Sequence, residues 1–282
     1  MIKKPRKVPK QIEQLETILK RLVPDHLKVA ELSVNLSKRL AGYKGEKGLD
    51  YPLSFLSDEQ YHIFHDLRLF DGTHYFQIDT LILSQRLIIL LEVKNIMGIL
   101  YFDSNFNQLI RIIDEKKEPF PDPITQSDRH CDQLRKWLLL YNFINIPIES
   151  LVVISSSRTI LDTSPNNEQI YNKVIHSAKL PFKIKSLNDL YHKEKLNRRS
   201  LLELSNELLN GHRELEVNIL KQYKIDKSEL IKGVQCPGCS KFPMKRVHSK
   251  WLCLLCGTTS RWKLEIKLEL RKKRVFADDL SR

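Results

Sequence analysis

Residues 75–94 constrain the fold more than any other part of the sequence. Two runs rich in Ile, Leu, Phe and Tyr, 75–83 and 86–94, flank the polar pair Ser84-Gln85. Such runs with a two-residue polar connection read as a β-hairpin. Within these apolar strands stand Asp79, Glu92 and Lys94. With Ser84-Gln85 as the loop, Leu83 faces Arg86, Asp79 faces Leu90, and Glu92 lies diagonally one pair further along. Alternation of side chains then puts Asp79, Leu90, Glu92 and Lys94 on one face, whereas a loop one residue longer would turn Asp79 to the other. An aspartate and a glutamate among apolar residues are costly unless paired, and a divalent cation satisfies both. An Asp/Glu–Lys ion-pair cluster at a strand end fits the same residues.

With 282 residues and 41% hydrophobic content, the chain can bury a proper core and has the length of about two domains. Its net charge of +13 is confined to the ends. Residues 1–10 carry five Lys/Arg and no acid, and residues 233–282 carry 12 Lys/Arg against four Asp/Glu, so residues 11–232 are neutral overall. Basic ends beside a neutral body suit a phosphate backbone, although such tails also serve solubility alone. The basic opening leads into a polar, periodic helix rather than an apolar leader, and the longest apolar run, residues 87–91, is far too short to span a bilayer. The expectation is a soluble cytoplasmic protein without a membrane partner. Four of five cysteines fall in two C-x-x-C pairs, leaving Cys131 over, which favours metal binding over a disulfide framework.

Along the chain, Ile12, Leu15, Ile18, Leu19 and Leu22 recur at helical spacing, and Pro24 opens a further helical segment towards Leu40. From Ala41 the glycines Gly42, Gly45 and Gly48 surround Glu46 on a short helix that Pro52 must break or kink. Residues 61–70 read as a strand leading into the hairpin. After Lys94 come a Gly98 turn, the strand GILYFD and the strand within FNQLIRII. EPFPDP, with three prolines, reads as a loop before a helix that carries Gln126, Arg129 and His130 in its first turns and Leu134, Trp137, Leu138 and Tyr141 on one face. LVVISS at 151–156 reads as a buried strand, and helices are expected at about 187–196, 200–210 and 212–223.

The C-terminal segment places Cys236, Cys239, Cys253 and Cys256 as C-x2-C-x13-C-x2-C, the spacing of a tetrahedral zinc site whose two tight turns are joined by a hairpin. Apolar residues alternate strictly with Lys and Glu from Trp262 to Leu270, which reads as a further strand. Phe242, Trp251 and Trp262 are interleaved with Lys241, Lys245, Arg246, Lys250 and Arg261. That mixture suits base stacking with phosphate contacts, and it equally suits a small domain's own core.

With these residues laid out, the stretch from about 41 to 156 resembles the NERD (nuclease-related) domain of the PD-(D/E)XK restriction-endonuclease-like group. The resemblance rests on Gly45-Glu46, Ile78-Asp79, Glu92-Val93-Lys94-Asn95, Gly98 and the Pro-rich run leading to Gln126. It implies an α/β fold, a restriction-endonuclease-like mixed sheet flanked by helices, beside a small β zinc ribbon. It further implies Asp79 and Glu92 as ligands of Mg²⁺ or Mn²⁺, Lys94 as the residue serving the attacking water, and Glu46 and Gln126 as completing residues. Thr80 stands where many family members have His. The cysteine module is similar to the zinc ribbons of bacterial type I topoisomerases, with Zn²⁺ on the four cysteines. The expected organisation is a basic N-terminal helical segment (1–40), a nuclease-like core (41–190), a helical linker (191–232), a zinc ribbon (233–270) and a basic tail (271–282). The function implied is a Mg²⁺-dependent nuclease acting on DNA; the alternative is a non-catalytic nucleic-acid-binding or scaffolding protein.

Overall fold

The computed structural model describes residues 1–261 apart from 166 and 249. The expected strand at 262–270, with Trp262, and the tail at 271–282 lie outside the described residues. The chain divides into two units: Met1–Lys7 with Ala41–Leu215, and Val8–Leu40 with the chain from Glu216 onward.

In chain order the strands of the larger unit are β1 (Ile2–Lys4), β2 (His62–Phe70), β3 (Tyr75–Leu83), β4 (Ile88–Lys94), β5 (Gly98–Asp103), β6 (Gln108–Ile113), β7 (Lys116–Pro121), β8 (Ile148–Ile154), β9 (Thr159–Thr163) and β10 (Val174–His176). The helices of the described chain are α1 (Lys10–Arg21), α2 (Val29–Lys47), α3 (Asp50–Leu53), α4 (Pro123–Leu140), α5 (Glu168–Lys173), α6 (Leu180–Leu190), α7 (Arg198–Gly211) and α8 (Ile219–Tyr223). A six-stranded sheet runs β1-β2-β3-β4-β8-β10, antiparallel through β2, β3 and β4 and parallel at β1–β2, β4–β8 and β8–β10. Residues Leu151 to Ile154 of β8 are buried without alternation, because a parallel strand covered on both faces has no solvent side.

Helix α4 opens on Asp122, whose carboxylate accepts from the backbone N–H of Ile124 and Thr125, with Pro123 in the first turn. It presses Leu134, Trp137 and Leu138 onto one face of the sheet beside Leu201, Leu204 and Leu208 of α7. Trp137 is fully buried, and truncating it to Ala would cost about 3–5 kcal/mol. The other face takes Leu49, Leu53 of α3, and Leu180, Ile184 and Leu187 of α6 against Ile63, Ile82, Ile89, Leu91 and Val93. The mixed sheet flanked by helices that the sequence implies is therefore present.

Several elements differ from their sequence reading. The basic start is not wholly helical: Ile2–Lys4 form β1, which covers the edge of β2, and the Met1 ammonium donates to Asp58 O at 3.1 Å. The α7 half of the expected linker packs into the large core, whereas α8 belongs to the smaller unit. Helix α6 begins earlier than expected, and α8 is only five residues long. Tyr141 falls just past α4, exposed, its ring 4.4 Å from that of Trp137. Lys116–Pro121 is not a loop but β7, the edge of a second sheet ordered β7-β6-β5-β9. An edge strand tolerates prolines because only one side of it must donate to a ladder. This sheet seats Leu100, Phe102 and Leu109 on Val152, Ile154 and Ile124.

In the smaller unit, Leu15, Ile18 and Leu22 of α1 pack with Leu32, Ile219, Leu220, Tyr223, Ile225 and Leu230. It also holds a small antiparallel sheet, β11 (Lys245–Val247), β12 (Lys250–Leu252) and β13 (Thr259–Arg261). Among the described residues, no helix is long and apolar enough to cross a membrane.

Candidate active site

The β3–β4 hairpin places the acids, with a register other than the expected one. Leu83 pairs with Ile88 rather than facing Arg86, and the ladder runs back to Thr80 opposite Leu91. Ser84–Leu87 connect the strands: the Ser84 hydroxyl accepts the N–H groups of Arg86 and Leu87, each at 3.2 Å, and Leu87 is fully buried. Pulling Leu87 into the core moves the tip one residue along and the register by two. A shift of two preserves which residues share a face. Asp79 and Glu92 are thus the next facing residues beyond Thr80–Leu91, rather than diagonal neighbours.

The ladder stops there because Asp79 Oδ2 accepts the Val93 N–H at 2.8 Å. The neighbouring strand breaks at the same level. His65 pairs with Thr80 and Leu67 with Ile78, but Asp66 between them has φ +52°. Phe64 and Leu67 consequently enter the same core, as do Ile78 and Leu81 on β3, where strict alternation would divide each pair. A left-handed aspartate in mid-strand is uncommon, and such strain gathers at functional sites.

Glu92 is 4% exposed. Its Oε1 accepts from Lys94 Nζ at 2.7 Å, and the same amine donates to Gln126 Oε1 at 3.2 Å, so the first turn of α4 is joined to the end of β4. His130, one turn further along α4, has Nδ1 3.9 Å from Glu92 Oε2. Burial pushes His130 down to about 4, with Arg129 and Lys94 adding to the shift, so it stands neutral there.

Glu46 comes from the last turn of α2. Gly45 allows that approach: a Cβ on it would collide with Asn95 Cβ and lie 2.8 Å from Ser155 Oγ, at the ends of β4 and β8. Burial first, then Asp66, raises Glu46 to about 7. Burial also raises Asp79 well above the usual carboxylate range, reinforced by Glu92 and then Glu46. Burial likewise raises Glu92 against the opposing pull of Lys94, and Asp66 against that of Arg6. Four carboxylates all raised by burial, with acidic neighbours adding to the rise of Glu46 and Asp79, are a site short of positive charge.

All five residues expected from the sequence, Glu46, Asp79, Glu92, Lys94 and Gln126, therefore meet in one place. Arg6 and Asp66 were not foreseen. The Arg6 side chain is 4% exposed, with Nη1 2.7 Å from Glu46 Oε2 and 3.4 Å from Asp66 Oδ1. Its Nη2 donates to His65 Nδ1 at 2.9 Å and to Thr80 Oγ1 at 3.1 Å. Burial, then Arg6, depresses His65 to about 3, which leaves Nδ1 free to accept. Arg6 was hidden in a run of basic residues, and Asp66 lay without distinction inside the strand read at 61–70.

The second centre is the cysteine module. The Sγ atoms of Cys236, Cys239, Cys253 and Cys256 lie within 4.8 Å of one another, with 3.5 Å between Cys236 and Cys256 and between Cys239 and Cys253. A tetrahedral zinc with Zn–S of about 2.3 Å needs sulfurs about 3.8 Å apart, so the four thiols fit such an ion. Gly257, at φ +72°, turns the second C-x-x-C pair, and a Cβ on Gly238 would strike Thr258. Trp251 is half-buried against Cys236, Met244 and Cys253, and the Arg21 guanidinium lies 4.6 Å from the Phe242 ring centroid. These two aromatics pack against protein, while Lys241, Lys245, Arg246 and Lys250 are exposed. Among the described residues, the cysteines are the group of three or more His, Cys, Asp or Glu donors close enough to hold a metal; the carboxylates, tied to Val93, Lys94 and Arg6, do not converge three at a time.

No curated protein matches the chain. Among solved structures, that of protein VC1899 from Vibrio cholerae is similar over 65% of this chain and 51% of its own, at 10% identity and a TM-score of 0.30. The chain thus spans about half the length of that protein. Residues 41–155, which hold Glu46, Asp79, Glu92, Lys94 and Gln126, match the family model of the nuclease-related domain, and the chain carries a NERD domain over that span.

Proposed function

We propose that the protein is a Mg²⁺-dependent nuclease that hydrolyses phosphodiesters in DNA, with the four-cysteine module as a zinc ribbon that holds nucleic acid. One observation carries the reading: Asp79 and Glu92 stand opposite each other just past the last paired residues of the β3–β4 ladder, burial and the Glu92 charge raise Asp79, and the Lys94 amine donates to Glu92. Their donors are hard, anionic oxygens, which suit Mg²⁺ or Mn²⁺, whereas the four thiols suit zinc. When bound, such a hard cation supplies Lewis acidity to a phosphate oxygen and lowers the pKa of coordinated water.

The chain's own groups account for the rest. Lys94, fixed by two of its N–H groups between Glu92 and Gln126, offers its charge and the remaining N–H to a water or to a phosphate gaining negative charge. Gln126 positions that amine, and Glu46 adds a carboxylate on the helix side. The exposed Lys241, Lys245, Arg246 and Lys250 attract the backbone of a nucleic acid whichever bases it carries. This reading places the protein in the cytoplasm with nucleic acid as its partner.

The test is incubation of purified protein with labelled single- and double-stranded DNA, in Mg²⁺, in Mn²⁺ and in chelator. Products that require the metal support the reading. Binding that ignores the metal, with no products, overturns it in favour of a nucleic-acid-binding protein built on a nuclease-like core.

A further inference from the structure

Arg6 lies outside the span that matches the nuclease-related domain, yet its side chain is among the most enclosed charged groups of the larger unit. It comes from the stretch after β1, which is anchored at one end by Met1 on Asp58 and at the other by Lys4 Nζ, donating to His65 O at 2.8 Å and Asp66 O at 3.0 Å. The chain is therefore held at both ends of β1, the second anchor two residues before the one that reaches inward.

Its contacts are those of a cation in a carboxylate cage. Nη1 lies between Glu46 and Asp66, while Nη2 is held by His65 and Thr80. Nε is buried and, among the described residues, makes no hydrogen bond, its nearest acid being Asp50 Oδ1 at 3.8 Å. An orphaned, buried guanidinium N–H is costly. Neither packing nor hydrogen bonding alone explains its retention, whereas the charge does. Asp66 supports the same reading, because its φ of +52° interrupts β2 at the level where its carboxylate meets Arg6.

We propose that Arg6 is the built-in second cation of this centre: a positioning residue that occupies the Glu46–Asp66 side, fixes Glu46, and limits the centre to one divalent ion at Asp79 and Glu92. The proposal rests on the metal-dependent reading of Asp79 and Glu92. It differs from that reading in assigning a role to the N-terminal strap and a stoichiometry to the site. A guanidinium cannot leave as a hydrated ion can, so Glu46 is held in the absence of metal, and the site needs to recruit only one ion.

The test is Mn²⁺ binding to the zinc-loaded full chain, followed by calorimetry and by the electron paramagnetic resonance of bound Mn²⁺. Zinc stays on the thiolates, so Mn²⁺ reports the carboxylate centre. Wild type should bind about one Mn²⁺ per chain, and Arg6→Gln about two, the second replacing the lost charge. Arg6→Lys, which restores a cation, should return to about one. Arg6→Gln/Asp66→Asn should also bind about one, because asparagine keeps the left-handed backbone but removes a ligand. A doubled count in Arg6→Gln with spin–spin broadening of the Mn²⁺ lines supports the proposal. Two ions in wild type, or one in both wild type and a folded Arg6→Gln, overturns the role of Arg6 alone. No Mn²⁺ in wild type overturns the metal reading of Asp79 and Glu92 together with this proposal. If Arg6→Gln does not fold, Arg6→Lys decides: about one ion supports the proposal and about two overturns it.

Discussion

Glu46→Gln tests the electrostatics of the centre without any substrate. Glu46 is raised to about 7 from an ordinary 4.5, first by burial and then by Asp66. A carboxylate whose folded pKa is raised contributes stability that is fully present below about 4.5 and lost as pH rises through about 7. The Glu46 side chain is 22% exposed, so little of this is screened. At about 1.4 kcal/mol per unit, ionised Glu46 costs the metal-free fold about 3 kcal/mol at about pH 8 and under about 1 kcal/mol at about pH 5. Glutamine removes the charge and nearly keeps the shape. Arg6 retains Asp66 as a partner. The variant should therefore be more stable than wild type by about 3 kcal/mol at about pH 8, with the gap nearly closed at about pH 5. Hydrogen exchange of β3 and β4 amides, in zinc-loaded protein dialysed free of Mg²⁺, reads the opening of this unit directly. Asp66, Asp79 and Glu92 shift in the same direction, so wild type should also lose protection as pH rises. A variant no better protected than wild type at about pH 8 would refute the reasoning.

Further predictions concern packing, zinc and charge. Gly45→Ala drives a methyl into Asn95 and Ser155, so it should lower stability by about 1–3 kcal/mol and weaken Mg²⁺ binding by displacing Glu46, as thermal melts with and without Mg²⁺ would show. Purified protein should carry about one zinc per chain by elemental analysis, and Cys239→Ser should lose it while amide protection in β3 and β4 stays as in wild type. Replacing the exposed Lys241, Lys245 and Lys250 by Ala should flatten the salt dependence of DNA binding by up to about 0.7–0.9 in log–log slope per lost phosphate contact; an unchanged slope would mean that the hairpin does not touch the backbone.

The sequence made the nearness of Asp79 and Glu92 legible because a slip of two residues only moves them from diagonal to facing positions, although the alternation that put them on one face breaks on β3 between Ile78 and Leu81. The register itself was not legible. Ser84-Gln85 reads as a loop only if Leu87 is free to stay in the strand, and the burial of Leu87 decides otherwise. The cysteines were legible because ligand spacing is a local property, unlike the contacts of Trp251 and Phe242. Strand β7 was masked by prolines that an edge position makes harmless. Arg6 was unreadable for a deeper reason: nothing local distinguishes one arginine of MIKKPRKVPK from its neighbours, and only the pairing of β1 with β2 brings it beside Glu46, 40 residues away. The break at Asp66 follows the same logic, since a left-handed aspartate leaves no mark on hydrophobic periodicity.

The central claim is that Asp79 and Glu92 hold a cation while Lys94 serves the reaction, and parallel measurement of Mg²⁺ binding and DNA cleavage in wild type and Lys94→Ala tests it most directly. Removing the Lys94 amine leaves both carboxylates, so Mg²⁺ affinity should be kept or increased, while cleavage falls by about 10²-fold or more. Wild type that neither binds Mg²⁺ nor cuts DNA, or a Lys94→Ala variant that cuts as wild type does, would contradict the account.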